Sequence, residues 1–262
     1  MKNLKEIYEY REMIFSLVKR DLRGRYKGSA LGFLWTFINP LLQLVVYTLV
    51  FSVIMRSGIE KYYLFLFVAL VPWIFFSSSL TGGANCIMTS QDMIKKIYFP
   101  REVLPIAYVT TSFVNMLLSF VVVLGVLIVT GYGINPVAML YLPIIMIVEY
   151  LLALGIAFLS SALTVYFRDL EYILGIIAMA WQFLTPVMYS QEMVEDALPP
   201  TLLAIWNLNP AAPLINAYRD ILYYKQVPEL STLIAVVVLG IIVLVIGYTA
   251  FRRLQRGFAE EL

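Results

Sequence analysis

The chain has 262 residues, of which 61% are hydrophobic, 15% aromatic and only 14% charged. Soluble globular domains are about 45–50% apolar and about 25% charged, so this composition excludes an ordinary soluble domain and favours a bilayer as solvent. The absence of histidine and the single cysteine, Cys86, exclude imidazole catalysis, histidine-bound zinc and an internal disulfide, whereas the formal charge of +2 says little by itself.

The first thirty residues predict an amphipathic helix rather than a signal peptide. A secretory signal would place a short basic stretch before one continuous apolar run, and that pattern is absent. Instead, eight Lys/Arg are interspersed with apolar residues at helical spacing: Leu4, Ile7, Ile14, Leu17, Val18 and Leu22. We expect residues 1–30 to form a helix in the cytoplasmic membrane interface. Its basic side chains would face the anionic leaflet: Lys19, Arg20, Arg23, Arg25 and Lys27.

Six apolar stretches follow that are long enough to cross roughly 30 Å of hydrocarbon, which takes about 20 residues each. They lie at about 31–55, 62–80, 104–130, 137–158, 172–189 and 231–251. The expected fold class is therefore an all-α integral membrane protein with a six-span domain over 31–262. Two further apolar pieces within about 197–227 are too short to span and are punctuated by prolines. They predict re-entrant helices before the last span; two interfacial helices in a surface loop are the alternative.

The basic residues set the expected orientation. Fifteen of the nineteen Lys/Arg fall in the N-terminal region, the 81–103 loop, at Arg168 and in the C-terminal tail. Since cytoplasmic loops carry the excess of Lys/Arg, both termini and the 81–103 loop are expected in the cytoplasm. An even number of spans agrees with that placement, because it returns the chain to its starting side.

Motifs for chemistry are missing from the sequence. It contains no GxxxxGK[ST], HExxH or GxSxG pattern, so we expect no catalytic residue, metal or cofactor on this chain. Transport against a gradient would then draw on a partner or an ion. Glu149, inside the fourth span, is either a proton site or an acid held by a neighbouring polar group, and the second interpretation is favoured. Glu192, Glu195 and Asp196 suggest a solvated acidic loop more than a cation site.

Polar and aromatic side chains recur on one face of three spans. Such stripes either line a path for a polar substrate or hold helices together inside lipid. The residues are Asn39, Gln43 and Tyr47 in the first span, Thr111, Asn115 and Ser119 in the third, and Trp181, Thr185 and Tyr189 in the fifth. Separately, the 81–103 loop holds Asp92–Glu102, which is either a short amphipathic helix presented to a cytoplasmic partner or an ordinary basic loop that sets topology.

Four motifs in order along the chain resemble the permease subunits of polysaccharide ABC exporters, the type-2 exporters of O-antigen, teichoic acid and capsule precursors. They are Arg20–Trp35 followed by Asn39-Pro40, Lys95–Pro105, Tyr166–Glu171, and Asn209-Pro210 with Tyr218-Arg219-Asp220. The resemblance covers essentially the whole chain and includes the six-span topology.

The resemblance implies a homodimer in the bacterial cytoplasmic membrane, paired with two copies of a separate ATPase that would carry ATP and Mg. The substrate would be a lipid-linked polysaccharide. Membrane lipids would also contact the chain, and no nucleic acid is expected as a partner. A drug- or small-lipid-exporting ABC permease and an ion-coupled transporter are the alternatives.

The resemblance also assigns roles to residues. ATPase coupling would fall to Ile94, Lys95, Lys96, Ile97, Tyr98, Phe99, Pro100, Arg101, Glu102, Arg168 and Asp169. Trp35 would join the polar stripes as a channel residue. The external gate would comprise Trp206, Asn209, Pro210, Tyr218 and Arg219.

Overall fold

A computed structural model describes residues 2–24 and 31–261, and in these residues the chain folds into helices joined by short turns. The helices of the first half are α1 (Lys2–Glu9), α2 (Arg11–Gly24), α3 (Trp35–Thr48), α4 (Tyr62–Asn85), α5 (Gln91–Lys96), α6 (Val103–Val129) and α7 (Pro136–Met139). Those of the second half are α8 (Leu142–Tyr166), α9 (Leu170–Leu184), α10 (Gln191–Ala197), α11 (Pro200–Trp206), α12 (Ala211–Leu222), α13 (Leu230–Leu254) and α14 (Phe258–Glu261). A π-helical turn, Leu49–Ile54, extends α3.

The N-terminal region forms two helices where the sequence predicts one. α1 and α2 are separated at Tyr10, and α2 packs against α6 through a face that buries Leu17 and Val18. The apolar spacing therefore predicts the buried face of α2. The segment that includes Arg25 and Lys27 lies outside the described residues.

Five helical stretches of the described chain are long and apolar enough to cross a membrane. They run over Trp35–Ile54, Tyr62–Asn85, Val103–Val129, Pro136–Tyr166 and Leu230–Gly257, close to five of the six predicted spans. The remaining predicted span, 172–189, corresponds to α9, which has only 15 residues. At 1.5 Å per residue α9 is about 22 Å long, shorter than a hydrocarbon core of about 30 Å. Helix length alone therefore does not establish a sixth crossing.

Helix α4 forms the centre of the bundle. Its segment Leu64–Val71 is buried at every position, and α3, α6, α8, α9 and α12 all pack against it. An all-round apolar helix of this kind is typical of a bundle interior. The sequence of α4 has no polar stripe before Ser77, which explains its central position.

Helices α8 and α13 cross in close contact because glycines face each other. A Cβ atom added to Gly247 would lie 1.9 Å from the carbonyl oxygen of Gly155, and one added to Gly155 would lie 2.6 Å from the backbone of Leu244. Small residues allow helix backbones to approach closely inside lipid, where no hydrophobic effect drives helices together. This contact joins the fourth and last predicted spans.

Three helices present broad apolar faces to the outside. Little of α3 and α13 is buried, and α9 exposes most of its length. Large exposed side chains include Leu42, Val45 and Val46 on α3, Ile173, Ile176 and Phe183 on α9, and Ile241, Ile242 and Val245 on α13. Faces of this composition suit contact with lipid or with another membrane helix.

The segment before α13 contains the short helices that the prolines predict. Pro200 lies at the start of α11 and Pro213 in the first turn of α12, where the missing N–H would have no helical partner. α12 packs against α4, α8 and α13, and nine of its twelve residues are buried. α12 is thus part of the bundle rather than a surface loop.

Candidate functional site

A cavity of about 530 Å³ lies between α3, α4 and α6. Four predicted channel residues line it together: Trp35 and Asn39 from α3, and Asn115 and Ser119 from α6. The lining also includes Thr36, Pro40, Val71, Ile74, Phe75, Ser78, Ser112 and Met116. The polar stripes of the first and third spans therefore meet at one place.

Ser112 is one of three polar lining residues that the sequence pattern missed, with Thr36 and Ser78. Its side chain is 3% exposed, and its Oγ has no hydrogen-bond partner among the described residues. The predicted stripe instead used Thr111, whose hydroxyl donates to the Ala107 carbonyl at 2.8 Å. The cavity face of α6 consists of Ser112, Asn115, Met116 and Ser119, at the i, i+3, i+4, i+7 spacing of a helix face. That spacing, applied in place of a strict step of four, would have found Ser112.

The cavity carries amide, hydroxyl and indole groups but no Asp, Glu, Lys or Arg in its lining. Hydroxyl and amide groups exchange hydrogen bonds with neutral polar groups, and aromatic rings pack against apolar faces. A charged ligand would meet no opposite charge there, and transferring a charge from water without one is costly. The chemistry of the lining therefore favours an uncharged, hydroxyl-bearing ligand.

The other predicted channel residues lie elsewhere. Gln43 and Tyr47 do not line the cavity, and Tyr47 packs against the core. Trp181 and Thr185 form a separate cluster with Asn209, a predicted gate residue. The indole N–H of Trp181 donates to Asn209 Oδ1 at 2.8 Å, and Asn209 Nδ2 donates to Thr185 Oγ1 at 3.0 Å. This cluster ties the end of α9 to the start of α12.

Arg219, another predicted gate residue, is fully enclosed beside that cluster. Its guanidinium lies 3.7 Å from the centre of the Phe65 ring. It donates to the carbonyl oxygens of Phe65 at 3.4 Å, Val187 at 2.6 Å, Tyr189 at 3.1 Å and Pro186. Three of these carbonyls belong to the non-helical segment after α9, so one side chain satisfies backbone groups that no helix serves.

The charge on Arg219 persists despite its burial. Arginine keeps its proton in proteins, and here four carbonyl oxygens accept from the guanidinium. The guanidinium is therefore protonated at neutral pH. Trp206 and Tyr189 lie near this cluster, with ring centres 6.2 Å apart.

Glu149 is held by Tyr218, the residue that precedes Arg219. The Tyr218 hydroxyl donates to Glu149 Oε2 at 2.6 Å, and both side chains are at most 1% exposed. The Tyr218 ring also stacks on Phe120, with centres 5.4 Å apart. The sequence left Glu149 without a named partner; the structure supplies one from α12, which favours the structural interpretation of this acid.

The predicted coupling residues gather at the end of the bundle that carries α1, α5 and the C-terminus, hereafter the charged face. Residues Ile94 to Glu102 line one cavity of about 520 Å³ there. Tyr98 is 85% exposed, whereas Phe99 is 5% exposed and belongs to the core. Arg168 and Asp169 line a separate cavity on this face, and Arg168 Nη2 donates to the Glu261 carbonyl at 3.5 Å.

The acidic residues of α10 do not form a cation site in the described part of the chain. No group of three or more Asp, Glu, Cys or His there has an arrangement suited to a metal. The carboxylate of Glu195 instead accepts from Gln191 Nε2 at 3.2 Å. Glu192 and Asp196 lie on the same short helix.

Comparison with known proteins identifies the family. Residues 12–223 match the ABC-2 type transporter family. The chain is 37% identical to the O-antigen export system permease protein RfbA of Myxococcus xanthus, over 99% of this chain and 98% of that protein. It is 32% identical to an RfbA of Klebsiella pneumoniae, over 96% and 95% of the two chains. It is 22% identical to the polysialic acid transport protein KpsM of Escherichia coli, over 90% and 91%. These matches and the helical membrane fold place the chain in the ABC-2 type transporter family.

Proposed function

We propose that this chain is the permease subunit of an ATP-driven exporter of a lipid-linked polysaccharide of the O-antigen type. The observation that carries the proposal is similarity over nearly the full length to two permeases named for O-antigen export. The uncharged polar cavity between α3, α4 and α6 supports it, because neutral sugar units present many hydroxyls.

The energy source in this proposal is a separate ABC ATPase subunit. The sequence contains no P-loop pattern, so ATP and Mg would bind to the partner. Two permease chains and two ATPase chains would form the transporter. The exposed apolar faces of α3, α9 and α13 are suited to contact with a second permease chain as well as with lipid.

In the proposed topology the chain crosses the cytoplasmic membrane six times, with both termini and the charged face in the cytoplasm. The distribution of Lys/Arg supports the orientation. The contacts of Arg219 support the sixth crossing. Non-helical backbone is tolerated at membrane depth where protein groups satisfy it, and Arg219 does this for residues 186–189 after the short α9.

The proposed path of the polymer begins at the cavity between α3, α4 and α6. It ends at the external gate, on the side of the bundle opposite the charged face. Trp35, Asn39, Ser112 and Asn115 would contact sugar units by stacking and hydrogen bonding. The cluster of Trp181, Thr185, Asn209 and Arg219 would form the fixed frame of the external gate. Gln43, Tyr47 and Thr111 would serve helix packing instead.

Deletion of the gene in its host tests this proposal. We expect the deletion strain to lose surface polysaccharide and to accumulate lipid-linked polymer inside the cell, with recovery when the full chain is restored. A tagged chain should also co-purify with an ABC ATPase. Normal surface polysaccharide in the deletion strain, or transport by the chain with no ATPase present, would contradict the proposal.

A further inference from the structure

The C-terminal segment forms one wall of the charged-face cavity that residues Ile94 to Glu102 line; we call these nine predicted coupling residues the coupling segment. Arg252, Gln255 and Arg256 line this cavity opposite residues Ile94 to Glu102, and Glu6 of α1 lies at its edge. We call Arg252, Gln255 and Arg256, together with the buried Phe258, the tail wall, and we call the space between the tail wall and residues 94–102 the docking groove. Its volume is about 520 Å³.

The tail wall is tied directly to the coupling segment. Arg101 Nη1 donates to the Gln255 carbonyl, and Gln255 Nε2 donates to Glu102 Oε1 at 2.9 Å. The Arg101 guanidinium also lies 5.6 Å from the centre of the Phe258 ring, which is fully buried. Reciprocal side-chain and backbone bonds of this kind hold the two walls in one relative position.

The tail wall is also anchored to the bundle. Tyr166, at the end of α8, donates its hydroxyl to the Leu254 carbonyl at 2.7 Å. Phe258 contacts Tyr166 and Phe251, with ring centres 6.2 and 5.7 Å apart. Movement of the coupling segment would therefore be passed to α8 and α13, the two helices that cross at Gly155 and Gly247.

The docking groove is positively charged. Its lining contains five basic and two acidic residues: Lys95, Lys96, Arg101, Arg252 and Arg256 against Glu6 and Glu102. Glu102 is 4% exposed and accepts from Gln255, and with both acidic residues counted the lining keeps a net formal charge of +3. Lys96 and Arg256 are both exposed and make no ion pair with the described residues.

The groove lies beyond the apolar part of the bundle. α13 has 25 residues and is about 37 Å long, longer than a hydrocarbon core of about 30 Å, and Arg252 and Arg253 lie in its last turn. Two exposed side chains, Ile97 and Tyr98, stand at the rim beside the cations. Tyr and Arg are enriched at protein-binding surfaces, so this combination suits contact with a partner protein.

We propose that the tail wall is part of the ATPase-binding surface, and that the occupant of the docking groove is an acidic segment of the ATPase subunit. Carboxylates of that segment pair with Lys96 on one wall and Arg256 on the other. This inference rests on the proposed function, since it assigns an additional binding element to the same partner. The sequence motifs point to the coupling segment alone; the tail wall follows from the contacts of Arg101, Gln255 and Phe258.

The test measures the affinity of the co-purifying ABC ATPase for the full-length permease in nanodiscs of zwitterionic phosphatidylcholine. We expect Arg256→Glu to weaken binding by about tenfold or more, because charge reversal at a close pair acts on complex stability. Arg256→Gln should have a smaller effect. Arg253→Glu is the matched control, because Arg253 is exposed in the last turn of α13 but neither lines the groove nor belongs to the tail wall.

Salt and lipid provide the second readout. Wild-type affinity should fall as salt is raised, and Arg256→Glu should reduce that dependence, since surface charge pairs are screened. Equal affinity of Arg256→Glu and Arg253→Glu would overturn the inference. A defect that appears only when phosphatidylglycerol is added would also overturn it, because the groove would then be a lipid-headgroup site. Failure of the wild-type chain to bind any ATPase would instead contradict the proposed function itself.

Discussion

The two ends of the helix bundle use arginine in opposite ways. At the charged face, Lys96 and Arg256 are exposed and line an open groove with three more basic residues. At the opposite end Arg219 is 2% exposed and donates to four backbone carbonyls. The exposed side chains of Lys96 and Arg256 leave donors for a partner, whereas Arg219 uses its donors within the chain. Charge at the first end should therefore affect binding, and at the second end it should affect folding.

The uncharged cavity between α3, α4 and α6 differs from both ends in its chemistry. Ser112 is buried like Arg219, yet its hydroxyl has no hydrogen-bond partner in the described chain. We therefore expect substitutions of Arg219 to affect stability, substitutions in the cavity to affect transport, and substitutions at the charged face to affect partner binding.

The largest expected effect is at Arg219. Arg219→Ala leaves the carbonyls of Phe65, Pro186, Val187 and Tyr189 without donors in a protein interior. We expect a loss of about 3–5 kcal/mol in the free energy of unfolding, seen as aggregation or a lower Tm in detergent. Arg56→Ala is the control, because Arg56 is an exposed basic residue of the same end. Equal Tm values for the two variants would show that the buried guanidinium is not a stabilising element.

The second effect concerns the Glu149–Tyr218 pair. Glu149→Leu leaves the buried Tyr218 hydroxyl without an acceptor, and we expect it to destabilise the protein by about 1–3 kcal/mol. Glu149→Gln retains an acceptor oxygen, so its Tm and its export rate should stay near wild type. Thermal unfolding and an export assay on both variants measure this. Loss of export with normal Tm in Glu149→Gln would favour an ion-coupled role and count against the structural interpretation.

The third effect separates transport from stability. Ser112→Ala removes an unpaired hydroxyl, so the Tm should be unchanged or slightly higher, whereas export should fall by about two- to tenfold if sugar hydroxyls bind there. Ser160→Ala is the matched control, since Ser160 is buried on α8 outside the cavity and bonds to the Ala157 carbonyl. Wild-type export in Ser112→Ala would remove this residue from the substrate path.

The smallest expected effect on stability is at Tyr98. Because this side chain is 85% exposed, Tyr98→Ala should change the free energy of unfolding by no more than about 0.5 kcal/mol. We nevertheless expect it to weaken the stimulation of ATP turnover by substrate. Tyr172→Ala, another exposed tyrosine, is the control. Phe99→Ala is a poorer test because Phe99 is buried, so its loss would mix folding with coupling. Unchanged stimulation in Tyr98→Ala would exclude this residue from coupling.

The positions of the long helices follow from the sequence because apolar runs of about 20 residues have few alternatives to spanning a bilayer. The observed start of α4 at Tyr62 agrees with the predicted second span, and α6 starts at Val103, one residue before the prediction. Within the fifth predicted span, 172–189, the helix stops at Leu184 although apolar character continues to Tyr189. Composition does not reveal the end of this helix. The helix can end at Leu184 because Arg219 of α12 donates hydrogen bonds to backbone carbonyls of the segment that follows.

The site was predictable only in part, for a physical reason. Four of the predicted channel residues line the cavity, yet Ser112 was missed because a step of four drifts across a helix face of 3.6 residues per turn. The partners of Arg219 and Glu149 depend on contacts between residues far apart in the chain, such as Tyr218 with Glu149. The tail wall likewise depends on Arg101 meeting Gln255. No local pattern carries such information.

Reconstitution tests the central claim most directly. The purified chain would be placed in liposomes with its co-purifying ATPase and a lipid-linked O-antigen-type polysaccharide, and polymer reaching the far side of the membrane would be measured with and without ATP. We predict translocation that requires both ATP and the ATPase, with Ser112→Ala slower than wild type at equal ATPase binding. Translocation without the ATPase, or none with it, would contradict the assignment of this chain as an ATP-driven polysaccharide permease.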